Sequence, residues 1–218
     1  MGLVTIRIAR ASGLARYEVE PSDGMTLLDA LEVIRRTREP GLRYRHSCHH
    51  GSCGTCGALV NGRERLLCTT PLAAGEGPIT IEPVRKMGLI GDLAVDPSRF
   101  FAEMPPGAGY LLRSGRGGGR AVQMEACIEC GLCVSACPVT APFAGPAALA
   151  AADTDREANP ARETASLDFA SDPRGVDACL SRFECSRVCP QGVAPGRRIA
   201  ALRRSIVKRA LDGTKDST

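Results

Sequence analysis

Aromatic residues are scarce: the 218-residue chain has no Trp, three Tyr and five Phe. Its apolar core must come from Ala, Val, Ile and Leu, with little of the large buried area that aromatic rings supply. Long apolar runs are also missing, and none approaches the ~20 residues of a membrane-spanning helix. The N-terminal Met1 to Arg7 lacks a secretory signal pattern, and Gly2 is not in a myristoylation context, so a cytoplasmic chain is expected. Lysine appears only at Lys86, Lys208 and Lys215, and the formal net charge is a mild +4. Acidic residues are interspersed among the arginines, so no nucleic-acid footprint is present and no nucleic-acid partner is expected.

What is present points to a globular protein, with 44% apolar and 24% charged residues. The length allows one large domain or two near ~100 residues each. There are 11 cysteines. A disulfide framework leaves one of them unpaired and needs an oxidising compartment. Metal ligation is the better reading, and the odd total is then a clue, because most such sites take four ligands.

The first third reads as strands with one helix. Val4 to Ile8 alternates as a strand, Ser12-Gly13 turns the chain, and Ala15 to Glu20 returns. Thr26 with Asp29 resembles a capping box. Leu27, Leu28, Leu31 and Ile34 then form a helical stripe that ends near Arg36. Ala58 to Val60 and Arg63 to Leu67 flank Asn61-Gly62, a strong two-residue hairpin signal. Ile79 to Glu82 is a last short strand.

Composition shifts between residues 92 and 106, which sets domains of 1–97 and 98–218. Gly115 to Gly119 does not follow a strand and open a helix, so it reads as a surface loop and not as a phosphate cradle. From Gln123 the pattern is helical. Pro146 suits a helix start, Thr154 to Asp172 reads as partly loop, and Ile199, Leu202, Ile206 and Ala210 share a helical face. Arg197, Arg198, Arg203, Arg204, Lys208 and Arg209 read as a solvated face, or as a docking surface for an acidic subunit or anionic lipid.

The cysteines fall into three groups. Cys48-x4-Cys53-x2-Cys56, followed by Cys68, has the plant-type [2Fe-2S] spacing. Three thiolates come from one loop whose Gly51 and Gly54 permit close backbone approach, and the Asn61-Gly62 hairpin brings Cys68 back beside Cys56. A four-cysteine zinc site is the competing reading, but x4 followed by x2 makes a poor zinc knuckle. His46, His49 and His50 are the only histidines. Cys48-His49-His50 contains half of a Rieske pattern, and with no second His further along a Rieske centre is excluded. These histidines read as loop residues near the cluster, solvated or at a subunit contact.

Cys127-x2-Cys130-x2-Cys133-x3-Cys137-Pro138 is the bacterial ferredoxin run, whose fourth Cys serves the other cluster of a pair. Counting the same spacing back from Cys189-Pro190 finds Cys179, Cys185 and Cys189, with Arg182 in the remaining slot. The exchange rule assigns Cys127, Cys130, Cys133 and Cys189 to a [4Fe-4S] cluster. Cys137, Cys179 and Cys185 remain, three thiolates that fit [3Fe-4S], because Arg is a cation with no acceptor. The cysteines thus divide four, four and three. No acid, base or nucleophile constellation stands beside them, so substrate chemistry must lie in a partner.

The sequence resembles the iron–sulfur subunit of succinate dehydrogenases and fumarate reductases over most of its length. The resemblance is carried by Arg43-Tyr44-Arg45-His46-Ser47-Cys48 leading into Cys53-Gly54-Thr55-Cys56-Gly57, by Cys68-Thr69-Thr70, and by Gly91 to Asp96. Cys127 to Cys133, Phe143 to Ala147 and Cys185 to Pro190 complete it. It implies an α+β fold, with an N-terminal β-grasp ferredoxin-like [2Fe-2S] domain and an α-helical ferredoxin-like two-cluster domain. It also implies a partner flavoprotein that carries FAD and a membrane anchor with a quinone site. Electrons pass between them through the [2Fe-2S], [4Fe-4S] and [3Fe-4S] clusters. The chain is then peripheral, on the cytoplasmic side of the inner membrane, and Pro138 contributes to the quinone pocket. Two positions depart from the family: no Trp follows Cys137, and Leu180 rather than His follows Cys179. The quinone site is remodelled, built by the anchor, or replaced by another acceptor such as a thiol/disulfide partner. A redox sensor needs only one cluster, so three argue for a relay.

Overall fold

The computed structural model describes residues 2–73, 75, 77–106, 127–140 and 142–215. The chain divides into two compact units, Met1–Arg99 with Ile128–Ser135, and Phe100–Cys127 with Ala136–Thr218. The glycine run at 115–119 lies outside the described residues.

In the first unit β1 (Val4–Arg10) and β2 (Gly13–Val19) pair antiparallel from Val4↔Val19 to Arg10↔Gly13. Both strands run further towards the turn than their alternation predicts. The turn is Ala11-Ser12 and not Ser12-Gly13, because Gly13, at φ 113°, already belongs to the ladder. α1 (Leu27–Thr37) follows, with Leu27, Leu28, Ala30, Leu31 and Ile34 buried. Its capping box is complete: Thr26 Oγ1 accepts the Asp29 N–H at 3.2 Å and Asp29 Oδ2 accepts the Thr26 N–H at 2.9 Å.

β3 (Gly57–Val60) and β4 (Arg63–Leu66) close on Asn61 and Gly62, at φ 49° and 76°. These are the left-handed values a two-residue hairpin turn demands. β5 (Ile79–Pro83) runs parallel to β1 and antiparallel to β3, giving the order β2-β1-β5-β3-β4. Val4, Ile6, Ile8 and Ile81 are fully buried with the α1 leucines, each aliphatic side chain contributing about 1.5–3 kcal/mol.

A second small sheet, β6 (Gly88–Gly91) with β7 (Ala94–Asp96), was not foreseen. Its strands are too short to show a period, and Leu89 and Ile90 are exposed. Its turn residue Asp92, at φ 47°, is buried and accepts Arg10 Nε at 2.7 Å and the Arg43 N–H at 2.9 Å. α2 (Ser98–Ala102) and α3 (Leu132–Ala136) are short helices.

Among the described residues the second unit contains α4 (Pro146–Ala158), α5 (Glu163–Ser171), the single turn α6 (Glu184–Arg187) and the long α7 (Pro195–Lys215). Pro146 occupies the first turn of α4, as predicted. The loop expected within Thr154–Asp172 is corrected: α4 runs through to Ala158 and α5 covers Glu163–Ser171. Two acidic residues at this end of α4, Asp153 and Asp155, are buried and paired. Asp153 accepts from Arg156 at 2.9 Å and Arg198 at 3.3 Å, and Asp155 from Asn159 at 2.9 Å and Arg162 at 2.5 Å. The core joins Leu149 and Ala152 of α4, Leu167 and Ala170 of α5, Val176, and Ile199 and Leu202 of α7. Ile206 packs on its rim, whereas Ala210 is exposed. The basic face of α7 is not uniformly solvated: Arg198 and Arg209 make ion pairs with α4 and α5. No helix among the described residues is long and apolar enough to cross a membrane.

Candidate metal centres

None of the 11 cysteines forms a disulfide. Cys48, Cys53, Cys56 and Cys68 converge as their spacing predicts. The loop from Cys48 turns through Gly51 and Gly54, at φ 80° and 70°. The turn aims backbone amides at sulfur: Cys48 Sγ accepts from the N–H groups of Ser52 and Cys53, each at 3.3 Å, and the Cys48 N–H donates to Cys53 Sγ at 3.4 Å. The β3–β4 hairpin then reverses the chain. Leu67 N–H donates to Cys56 O at 3.1 Å, and Cys68 Sγ lies 3.2 Å from Cys56 Sγ.

The environments of these thiols differ. The His50 backbone N–H, helped by Cys53 and Ser52, holds the Cys48 thiol down at about 6 against burial. Burial pushes the Cys56 thiol up to about 12, with Cys68 and Cys53 adding to the rise. Four converging thiols with amides directed at sulfur fit an iron–sulfur cluster, whose properties such hydrogen bonds tune.

Cys130 and Cys133 belong to the first unit with this loop. A Cβ on Gly54 would lie 2.4 Å from Ile128 O and 2.9 Å from Cys130 Cα, so only glycine admits this approach. Ser135 holds the segment down: its hydroxyl donates to buried Glu64 at 2.9 Å and accepts the Arg85 N–H at 3.0 Å. Sequence reasoning missed Glu64 and Ser135, which carry no local signal. Cys127 and Cys189 belong to the second unit.

Cys137, Cys179 and Cys185 all lie in the second unit. Burial, and then the nearby Cys137 and Cys179, push the Cys185 thiol up against hydrogen bonding from Ser186. The Cys179 loop is clamped by α7. Arg203 donates to Val176 O at 2.5 Å, Cys179 O at 2.6 Å and Ser181 Oγ at 2.6 Å. Sequence reasoning saw Arg203 only as one of a basic face. Between Cys179 and Cys185 the chain coils through left-handed Ser181 and Phe183, at φ 54° and 60°. Arg182 stands exposed between them, and Leu180 and Phe183 are also exposed. Pro138, next to Cys137, is exposed as well.

Residues 6–102 match the family model of a 2Fe-2S iron-sulfur cluster binding domain, and residues 123–193 that of a 4Fe-4S dicluster domain. The chain is 34% identical to the fumarate reductase iron-sulfur subunit of Mycobacterium tuberculosis, over 94% of this chain and 90% of that one. It is 29% identical to the succinate dehydrogenase iron-sulfur subunit of Coxiella burnetii, over 90% of each. Among solved structures it resembles a chain of the Mycobacterium smegmatis Sdh1 complex in its apo form. The TM-score is 0.74 at 26% identity, over 95% of this chain and 97% of that one.

Proposed function

This chain belongs to the iron–sulfur subunits of the succinate dehydrogenases and fumarate reductases, and from that membership we propose that it is the electron-transfer subunit of a succinate:quinone or quinol:fumarate oxidoreductase. Cys48, Cys53, Cys56 and Cys68 hold a [2Fe-2S] cluster. Cys127, Cys130, Cys133 and Cys189 hold a [4Fe-4S] cluster, and Cys137, Cys179 and Cys185 a [3Fe-4S] cluster. When bound, the clusters supply one-electron transfer between a flavin and a quinone. Residues 1–97 carry the first site, and 98–218 carry the other two. The FAD belongs to a partner flavoprotein and the quinone to the interface with a membrane anchor, approached by Pro138. The chain is peripheral, on the cytoplasmic side of the inner membrane.

The observation that carries this reading is the seating of Gly54 on Ile128 and Cys130. It puts the first thiol loop in backbone contact with the second cysteine run, and electron tunnelling falls steeply with distance. The amides on Cys48 stabilise the thiolate, and Arg203 holds the Cys179 loop in register for three thiols. Arg182 stands where a fourth thiolate is needed and offers no acceptor.

An EPR-monitored redox titration of the purified complex tests the proposal. Three distinct signals are expected over the titration: a three-iron signal in the oxidised protein, lost on reduction, and [2Fe-2S] and [4Fe-4S] signals that grow as each cluster is reduced. Absence of a three-iron signal from the intact oxidised protein refutes the third assignment, and absence of a co-purifying flavoprotein refutes the role. A second reading keeps the relay but ends it on a thiol/disulfide or other non-quinone acceptor. It is favoured by the absence of Trp and by Leu180 beside Cys179. Reduction of a menaquinone or ubiquinone analogue by the complex separates the two.

A further inference from the structure

Glu32, His46 and His49 form a cluster in the first unit that electron transfer does not use. Glu32 lies on α1, and the two histidines bracket Cys48. His46 Nδ1 lies 3.1 Å from His49 Nε2, and His46 Nε2 lies 3.5 Å from Glu32 Oε1. One ligand atom from each of the three residues falls within 4.8 Å of the other two. Around a tetrahedral ion with metal–nitrogen bonds of 2.0–2.1 Å, neighbouring donors stand about 3.3 Å apart. The imidazole pair is already near that spacing.

The surroundings favour a site. The two rings meet edge to face, with centroids 5.3 Å apart and planes at 84°. His49 takes a left-handed backbone at φ 61°, uncommon outside glycine. Tyr44 donates to Glu32 Oε1 at 2.5 Å, an outer hydrogen bond of the kind that orients a ligating carboxylate. His50 is turned elsewhere, its Nδ1 bonding Cys48 O at 2.5 Å.

We propose that Glu32, His46 and His49 bind a divalent transition-metal ion of the zinc class, with a water in the fourth position. Imidazole and carboxylate donors suit such an ion; His46 offers it one ring nitrogen only, so the exposed His46 and His49 rings turn to bring one donor each within reach of Glu32. Zinc has no redox chemistry, so the ion is a clamp and not a relay: it ties α1 to the loop that carries Cys48 and Cys53.

The test uses the full-length, cluster-loaded chain, washed with chelator and titrated with Zn²⁺ by calorimetry. One equivalent is expected to bind. The zinc-edge X-ray absorption spectrum should show nitrogen and oxygen neighbours near ~2.0–2.1 Å and no sulfur near ~2.3 Å. His49→Gln and His46→Gln, both surface changes, should each weaken binding by at least ~10-fold with the cluster absorbance intact. His50→Gln should bind zinc as the wild type does. A sulfur shell, failure to bind one equivalent, or wild-type affinity in both His46→Gln and His49→Gln overturns the site.

Discussion

Gly54→Ala separates two costs that usually travel together. Gly54 and Gly24 have nearly the same φ, +70° and +72°, but a Cβ on Gly24 meets nothing within 4 Å. A Cβ on Gly54 would lie 2.4 Å from Ile128 O and 2.9 Å from Cys130 Cα and Cβ. Placing an L side chain in the left-handed region costs about 1–2 kcal/mol, and both variants incur it. Gly54→Ala adds overpacking against backbone that cannot swing aside, about 1–3 kcal/mol. In a chain of 218 residues each kcal/mol moves the thermal midpoint by about 2–4 °C. Gly54→Ala should therefore unfold about 2–12 °C below Gly24→Ala, measured by loss of visible cluster absorbance at one fixed scan rate, since cluster loss makes unfolding irreversible. The EPR line shape of the [2Fe-2S] signal should change only in Gly54→Ala. Equal midpoints for the two variants would refute the contact between the first thiol loop and the Cys130 segment.

Arg203→Ala removes the donors to Val176 O, Cys179 O and Ser181 Oγ. It should cost about 2 kcal/mol and broaden or abolish the three-iron EPR signal while sparing the [2Fe-2S] signal. On the proposed assignment, Arg182→Cys supplies a fourth thiol and should convert the three-iron signal towards a [4Fe-4S] one. Asp153→Ala removes the buried carboxylate that Arg156 meets at 2.9 Å and Arg198 at 3.3 Å, and should lower stability by about 2 kcal/mol by thermal melting, since Arg156 keeps Glu157 and Glu163 at 3.7 Å. The hydrogen bonds from Thr26 hold the Asp29 carboxyl below its ordinary value. Its contribution is therefore full above an unfolded pKa near ~3.9 and is lost as pH falls through the lower folded value. The gap in midpoint between the wild type and Asp29→Asn should close on acidification below that point, and a gap that does not depend on pH refutes the linkage.

Much of the first unit was legible because its signals are local. The Thr26/Asp29 box and the Asn61-Gly62 turn each act within four residues, and the structure forms both as expected. The β6–β7 hairpin was illegible because its strands are too short to show alternation, and what holds its turn is Arg10, far away in sequence. In the second unit the buried face of α4 is made largely of alanine, and its buried aspartates looked like loop residues. Their partners sit one turn away or beyond α4, Arg162 for Asp155 and Arg198 of α7 for Asp153. Only packing reveals that such a carboxylate is neutralised.

The proposed grouping of the thiols comes from cysteine spacing alone. Cysteine spacing, glycines at the turns and one hairpin are short-range constraints, so they survive in one dimension. Counting the same spacing puts Arg182 in the slot of the proposed third cluster's absent ligand. Tertiary structure decided what surrounds those thiols: Gly54 against Cys130, Ser135 on Glu64, Arg203 on the Cys179 loop, and Glu32 beside His46 and His49. Each joins residues remote in sequence or on different elements. A polar side chain's role depends on which partner burial brings to it, and neither spacing nor composition carries that information.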